Sequence, residues 1–129
     1  MAYIKFKELT HYFNFNKKLE VKELPDYINH YLSAGEPIVA AYSTLRDKCI
    51  FTDRKLVLFD RHGNFGISKK IHMFPYKNIS TSAILFRGGM VAMLFTMNSG
   101  YQVRLNFVHM SAEDKTEIRK VYYNMIEKI

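Results

Sequence analysis

The side chains best equipped for chemistry in this chain are cations, and they gather at two points. Arg46 and Lys48 flank Asp47, while Arg61 and His62 precede a Gly63-Asn64 turn that Lys69 and Lys70 follow. Groups of this kind hold phosphates and carboxylates through charge-assisted hydrogen bonds, so the chemistry they point to is anion binding. The charge distribution agrees. Net charge is +7, with five basic and five acidic side chains in residues 1–37, five and three in 38–62, five and none in 63–110, and four and four in 111–129. All the excess therefore lies in the middle of the chain. A cation near an acidic membrane contributes about 1 kcal/mol, so five give roughly 5 kcal/mol, a dissociation constant of about 0.2 mM. Contact through this patch alone is weak, and a hydrated rim accounts for the same residues equally well.

Other chemistry finds little footing. His11, His30, His62, His72 and His109 lack C-x-x-C or H-E-x-x-H company, and no pair is spaced as metal ligands on one element. Ser80, Thr81 and Ser82 sit in no nucleophile elbow, and neither a G-x-G-x-x-G loop nor a P-loop is present. Asp47, Asp53 and Asp60 fall at turns or strand ends, where carboxylates ordinarily bond backbone amides. No catalytic residue, metal or cofactor is expected, and the chain does not read as an enzyme.

The elements that position these residues are strands. Cys49-Ile-Phe-Thr and Lys55-Leu-Val-Leu-Phe, separated by Asp53-Arg54, form a β-hairpin rich in β-branched and aromatic types. Strands are predicted over 38–46, 48–52, 55–61, 68–74, 78–86, 90–97 and 101–108, with turn chemistry at each break. Connections this short make neighbours antiparallel. In such a meander the first and third turns share one end, which brings Arg46 and Lys48 toward Arg61, His62, Lys69 and Lys70. Tyr101, Val103, Leu105 and Phe107 alternate with Gln102, Arg104 and Asn106, one face dry and one wet. Met90–Met97, MVAMLFTM, is apolar on both faces. Its second face needs a cover, either residues 1–34 or another subunit, and Met90, Met93, Leu94 and Met97 are the interface candidates.

A helix is predicted over 111–129, with Ser111 as cap and Glu113 and Asp114 in the positive first turn. Ile118, Val121, Tyr122, Met125 and Ile129 form its apolar stripe. Pro25 to Leu32 suggests a second, short helix ended by Gly35, and residues 1–24 suit a helix through Phe6, Leu9 and Phe13 or a strand at Tyr3–Phe6. At 129 residues the chain fits one domain that buries about two-thirds of its unfolded surface. Its single cysteine, Cys49, rules out an internal disulfide and reads as an inert core thiol. The N-terminus lacks a continuous apolar stretch, and no run of about 18 apolar residues spans a membrane, so a cytoplasmic location is expected.

Gly35-Glu36, Arg46-Asp47, Phe51-Thr52-Asp53-Arg54-Lys55-Leu56, Asp60 and Pro75-Tyr76-Lys77-Asn78-Ile79 resemble, in order and spacing, the bacterial pleckstrin-homology-like family. The likeness covers residues 24–87 by motif and the rest by element order. It implies a mainly β fold with α: a seven-stranded antiparallel barrel or two orthogonal sheets, capped by the C-terminal helix. Residues 1–34 would be a short helical extension packed on a domain of residues 35–129. The chain departs from phosphoinositide-gripping eukaryotic PH domains, whose first hairpin loop is longer and carries several Lys and Arg. Here a tight turn contains Asp47, which would oppose an anion. The resulting expectation is a non-catalytic interaction module binding a protein partner or forming a homo-oligomer. The alternative is weak peripheral binding of anionic phospholipid through the basic patch. Nucleic-acid binding, resting on charge and on Tyr42 and Tyr101 as exposed rings, is disfavoured because no RNP-type motif accompanies them.

Overall fold

A computed structural model describes residues 13–44, 47–62 and 68–129, with side chains described throughout except at 13, 14, 61, 62, 68 and 69. Nine strands and one α-helix are built from them: β1 Phe13–Phe15, β2 Lys17–Leu19, β3 Ile38–Ser43, β4 Lys48–Thr52, β5 Lys55–His62, β6 Ser68–Pro75, β7 Ile79–Arg87, β8 Met90–Met97, β9 Gln102–Phe107 and α1 Ala112–Ile126. The order β2-β3-β4-β5-β6 makes a five-stranded sheet, and β1-β9-β8-β7 a four-stranded one. Every pairing from residue 38 to 107 is antiparallel, as the short connections require. The predicted Ile38–Arg46 strand ends earlier, at Ser43. There the Thr44 amide donates to the Asp47 carbonyl at 2.9 Å and the Asp47 amide to Thr44 Oγ1 at 2.9 Å.

The two sheets share a core. Tyr42, Cys49, Phe51, Leu56, Leu58 and Phe74 of one meet Val91, Met93, Phe95, Val103, Leu105 and Phe107 of the other. Helix α1 closes one end with Ile118, Val121, Tyr122 and Met125, all buried, while Ile129 falls beyond the helix and is 49 % exposed. Ser111 caps α1 reciprocally: Asp114 N–H donates to Ser111 Oγ at 3.1 Å and Ser111 N–H to Asp114 Oδ2 at 3.0 Å. Tyr122 and Ser82 share a hydroxyl hydrogen bond at 2.9 Å, and Arg119 lies over the Phe86 ring at 5.0 Å. Lys18 of β2 pairs with Glu117 on the same helix.

The segment before Gly35 does two jobs that its sequence conceals. Residues 13–19 give one edge strand to each sheet, β1 parallel to β9 and β2 antiparallel to β3. At the crossing, Asn16 N–H donates to Ser43 O at 3.1 Å, and Val108 N–H to Phe15 O at 2.9 Å. Further on, Asp26–Tyr31 is a 3-10 helix rather than an α-helix, and it covers the far side of the five-stranded sheet. Ile28 is buried there with Ala41, Ile50, Val57 and Phe59, and Tyr27 and Tyr31 meet the Phe59 ring edge-on at 5.7 and 5.4 Å. Among the described residues, then, the N-terminal cover falls on β4 and β5. The choice between helix and strand for residues 1–12 lies outside the described residues.

One buried carboxylate joins the β3 entry to the β4–β5 hairpin. Glu36 accepts from Thr52 Oγ1 at 2.5 Å and from the Ser33 amide at 2.9 Å, and Lys55 Nζ stands 3.4 Å away. Thr52 Oγ1 in turn accepts from the Lys55 and Arg54 amides at 3.0 and 3.2 Å, holding the Asp53-Arg54 turn. Tyr76, in the 3-10 turn Tyr76–Asn78, donates its hydroxyl to Thr52 O at 2.8 Å and its amide to Arg54 O at 3.0 Å. Burial pushes the Glu36 carboxyl up, but the Thr52 and Ser33 hydrogen bonds and the Lys55 charge outweigh it, and its pKa lies below the ordinary 4.5. A carboxyl depressed on folding stabilises the fold fully above about 4.5, and that stabilisation drains as pH falls through the folded value. Glu36→Gln is therefore expected to lower stability at neutral pH, by about 1 kcal/mol or more for each charge-assisted bond weakened. It should also flatten the loss of stability below about pH 4.5, as urea unfolding at neutral pH and at about pH 3 will show.

Candidate functional site

Of the six residues of the basic cluster, the side chains of Lys48 and Lys70 are described. β4 pairs Lys48 with Phe59, and β5 pairs Asp60 with Lys70, Arg61 with Lys69 and His62 with Ser68, so the backbone does bring the two turns to one end of the five-stranded sheet. Strand alternation then separates the described cations. Lys48 shares its face with Ile50 and Phe59 on the outer side, whereas Lys70 shares its face with His72 and Phe74 on the side of the main core. Two carboxylates intervene: Asp60, 2 % exposed and opposite Lys70, and Asp47, 8 % exposed in the first turn. Arg46 lies outside the described residues, as do the side chains of Arg61, His62 and Lys69.

The interface candidates divide by parity. Met93 and Met97 point between the sheets, are 0 % and 7 % exposed, and belong to the core. Met90 and Leu94 point the other way, half-buried, with Ala92 between them. Register adds Ala83 opposite Leu94, Leu85 opposite Ala92, Arg104 opposite Leu94 and Asn106 opposite Ala92. The outer face of the four-stranded sheet is thus a patch of small and apolar side chains with Arg104 and Asn106, bonded to each other at 3.1 Å, along one side. A hollow of about 260 Å³ opens there among Ala83, Leu94, Thr96, Gln102 and Arg104. Gln102 and Arg104 are half-buried and Asn106 is buried, so this face is drier than the alternation in β9 suggests.

Strand β7 bounds that patch and ends its sheet. It runs nine residues, ISTSAILFR, with one charge, at its last position. Ser80, Thr81, Ala83, Phe86 and Arg87 are exposed along it. Among the described residues no strand pairs with its outer side, while α1 reaches it at Ser82 and Phe86 through Tyr122 and Arg119. Neither this edge nor the far-side cover by residues 26–31 was readable as such from the chain.

The remaining reactive types are structural. Cys49 is fully buried, and burial pushes its thiol well above the ordinary value, which suppresses the thiolate. Tyr42 is 3 % exposed, so it offers no stacking surface to a nucleic acid, and its hydroxyl is buried without a hydrogen-bond partner. Among the described residues no three His, Cys, Asp or Glu side chains converge as a metal site. None of their helices is long and apolar enough to cross a membrane.

Two sheets packed face to face, antiparallel except for the short β1–β9 pair, with a C-terminal helix closing one end, define a pleckstrin-homology-like fold. The bacterial PH domain family matches residues 9–129, and the chain belongs to that family. It is similar to the uncharacterised protein YjqA of Bacillus subtilis, 33 % identical over 66 residues, covering 51 % of this chain and 53 % of that protein. The chain thus matches about half the length of that relative. Among solved structures, a DUF1696 family protein with a pleckstrin-homology domain from Shewanella loihica superposes with a TM-score of 0.71 at 23 % identity, over 88 % of this chain and 98 % of the other. A pleckstrin homology domain from Shewanella amazonensis gives 0.63 at 21 % identity, over 85 % and 90 %. A PH-domain-containing protein from Exiguobacterium sibiricum gives 0.64 at 16 %, over 86 % and 62 %. At these identities the likeness is one of fold.

Parity makes a sharp prediction. Met93→Glu places a charge in the dry core and is expected to cost more than about 4 kcal/mol, leaving no cooperative thermal transition. Leu94→Glu, one residue on, should fold with a melting profile within about 1 kcal/mol of the parent. Circular dichroism melts of the two variants separate these outcomes.

Proposed function

We propose that this domain is a non-catalytic interaction module that binds protein, copies of itself included, through the β7 edge and the outer face beside it. The observation that carries this reading is β7 itself: a nine-residue edge strand, exposed at Thr81 and Ala83, bordering Leu85, Met90 and Leu94. An unpaired strand offers a row of amide and carbonyl groups to any extended backbone, and adjacent apolar side chains add area to the contact. A second copy fits the charge pattern. Antiparallel pairing of two β7 strands about Ala83 sets Arg87 of one copy opposite Ile79 of the other, which keeps the only like charges at opposite ends.

The shared position of the first and third turns supports a second, weaker contact with anionic phospholipid. Asp47 and Asp60 beside those turns limit it, in keeping with the sub-millimolar affinity that five cations would supply.

Size-exclusion chromatography with light scattering tests the self-association. The parent should elute as a multiple of 15.2 kDa at high micromolar concentration, and Ala83→Lys or Leu94→Glu should return it to that mass. A strictly monomeric parent, or an assembly indifferent to both changes, rejects it. Sedimentation with acidic vesicles tests the second contact: binding at low salt should fade at physiological salt and with Lys48→Glu plus Lys69→Glu.

A further inference from the structure

A separate feature lies on the opposite side of the molecule from β1, where β6 ends the five-stranded sheet. Between β6 and the turn that follows β8 there is a groove of about 530 Å³, within the range of small-ligand sites. Phe74 and Met97, 6 % and 7 % exposed, form its floor. Three rings stand in a row along it: His72 stacks on Phe74 at 5.9 Å with planes 7° apart, and Phe74 on Tyr101 at 6.1 Å with planes 27° apart. The rim is polar, with exposed Lys70 at one end and exposed Asn78, Asn98 and Ser99 toward the other.

Every described lining residue falls between 70 and 101, within the stretch that contains no acidic residue, and Lys70 is the cation among them, with Asp60 opposite it in register. The nearby carboxylate, Asp60, is 2 % exposed and set behind His72, whose Nε2 is 3.7 Å from Asp60 Oδ2. Burial and the Asp60 charge both push the Tyr101 hydroxyl upward, so it stays protonated at neutral pH and can donate a hydrogen bond. An apolar floor favours a flat hydrophobic body, stacked rings favour one more ring, and a lysine beside neutral donors favours a negative tail.

We infer that the groove between β6 and the β8–β9 turn binds a small planar organic anion, its ring continuing the His72-Phe74-Tyr101 row and its acid group meeting Lys70. This site is independent of the β7 edge and of the assembly proposed there. None of its described lining residues lies on β7 or on the outer face of the four-stranded sheet.

Anilinonaphthalene sulfonate, a planar aromatic anion, tests this with the intact chain, and uncharged phenylnaphthylamine serves as its neutral counterpart. The sulfonate should bind saturably at one site per chain. Lys70→Glu should weaken it about tenfold, the loss of one charge-assisted bond, while barely changing the neutral dye. Ser99→Trp, which fills the mouth, should weaken both dyes, and Leu94→Glu on the outer face should weaken neither. All three positions are exposed or half-buried, and thermal melts confirm folding of each variant. Non-saturable binding overturns the inference, as does saturable binding that Leu94→Glu removes and the groove variants leave intact. So does equal loss of the charged and the neutral dye on Lys70→Glu, because that removes the anion from the assignment.

Discussion

The Glu36 carboxylate, sealed from water by the elements it joins, is the interaction on which this architecture hangs. A lone charge in that position would be costly, and it persists because Thr52, Ser33 and Lys55 all point at it. Those three partners belong to different pieces of chain: the loop before β3, the end of β4 and the start of β5. Bonding them to one group fixes where β3 enters, which residues turn between β4 and β5, and hence the register of the whole five-stranded sheet. Tyr76 extends the same node into the next sheet by bonding Thr52 and Arg54 backbone just where the chain leaves β6 for β7. The motifs scattered over residues 35–79 thus meet at one place in space, and their role there is to hold a hairpin.

This explains why so much of the architecture was legible in the sequence and so little of the site. The β4–β5 hairpin, the alternation of β9 and the capped helix each carry their signal within a dozen residues, and each stands where the pattern placed it. β1 and β2 were not legible, because three residues each are too few to show a period of two, and β1 draws its pairing from β9, some ninety residues distant. The apolar double-sidedness of KLVLF and CIFT was in plain view. It belonged to strands sandwiched between the core and residues 26–31, while in MVAMLFTM the core takes Val91, Met93, Phe95 and Met97 and the other face is half-buried at Met90, Leu94 and Thr96 and buried at Ala92.

The limits on the site are of the same kind. Net charge and turn position are properties of the chain, so the sequence brought Lys48 and Lys70 to one end of a sheet. Which face each occupies depends on whether the residues between them sum to odd or even steps through two strand pairings, and that is decided by register. The groove under Lys70 is less legible still. Phe74 and Tyr101 are neighbours only because two sheets pack at a particular angle, and no local pattern in β6 or in the turn before β9 encodes that meeting.

The ribbon formed by residues 13–19 has a consequence for how the molecule opens. One short segment zips the seam between the sheets, so its two halves cannot detach independently: lifting Asn16 from Ser43 strains the Phe15–Val108 bond alongside. Release therefore bares the β9 and β3 edges in a single event, and the amides on both should share one exchange rate with solvent, slower than that of β7. A clasp of this design couples the breathing of two otherwise separate sheets.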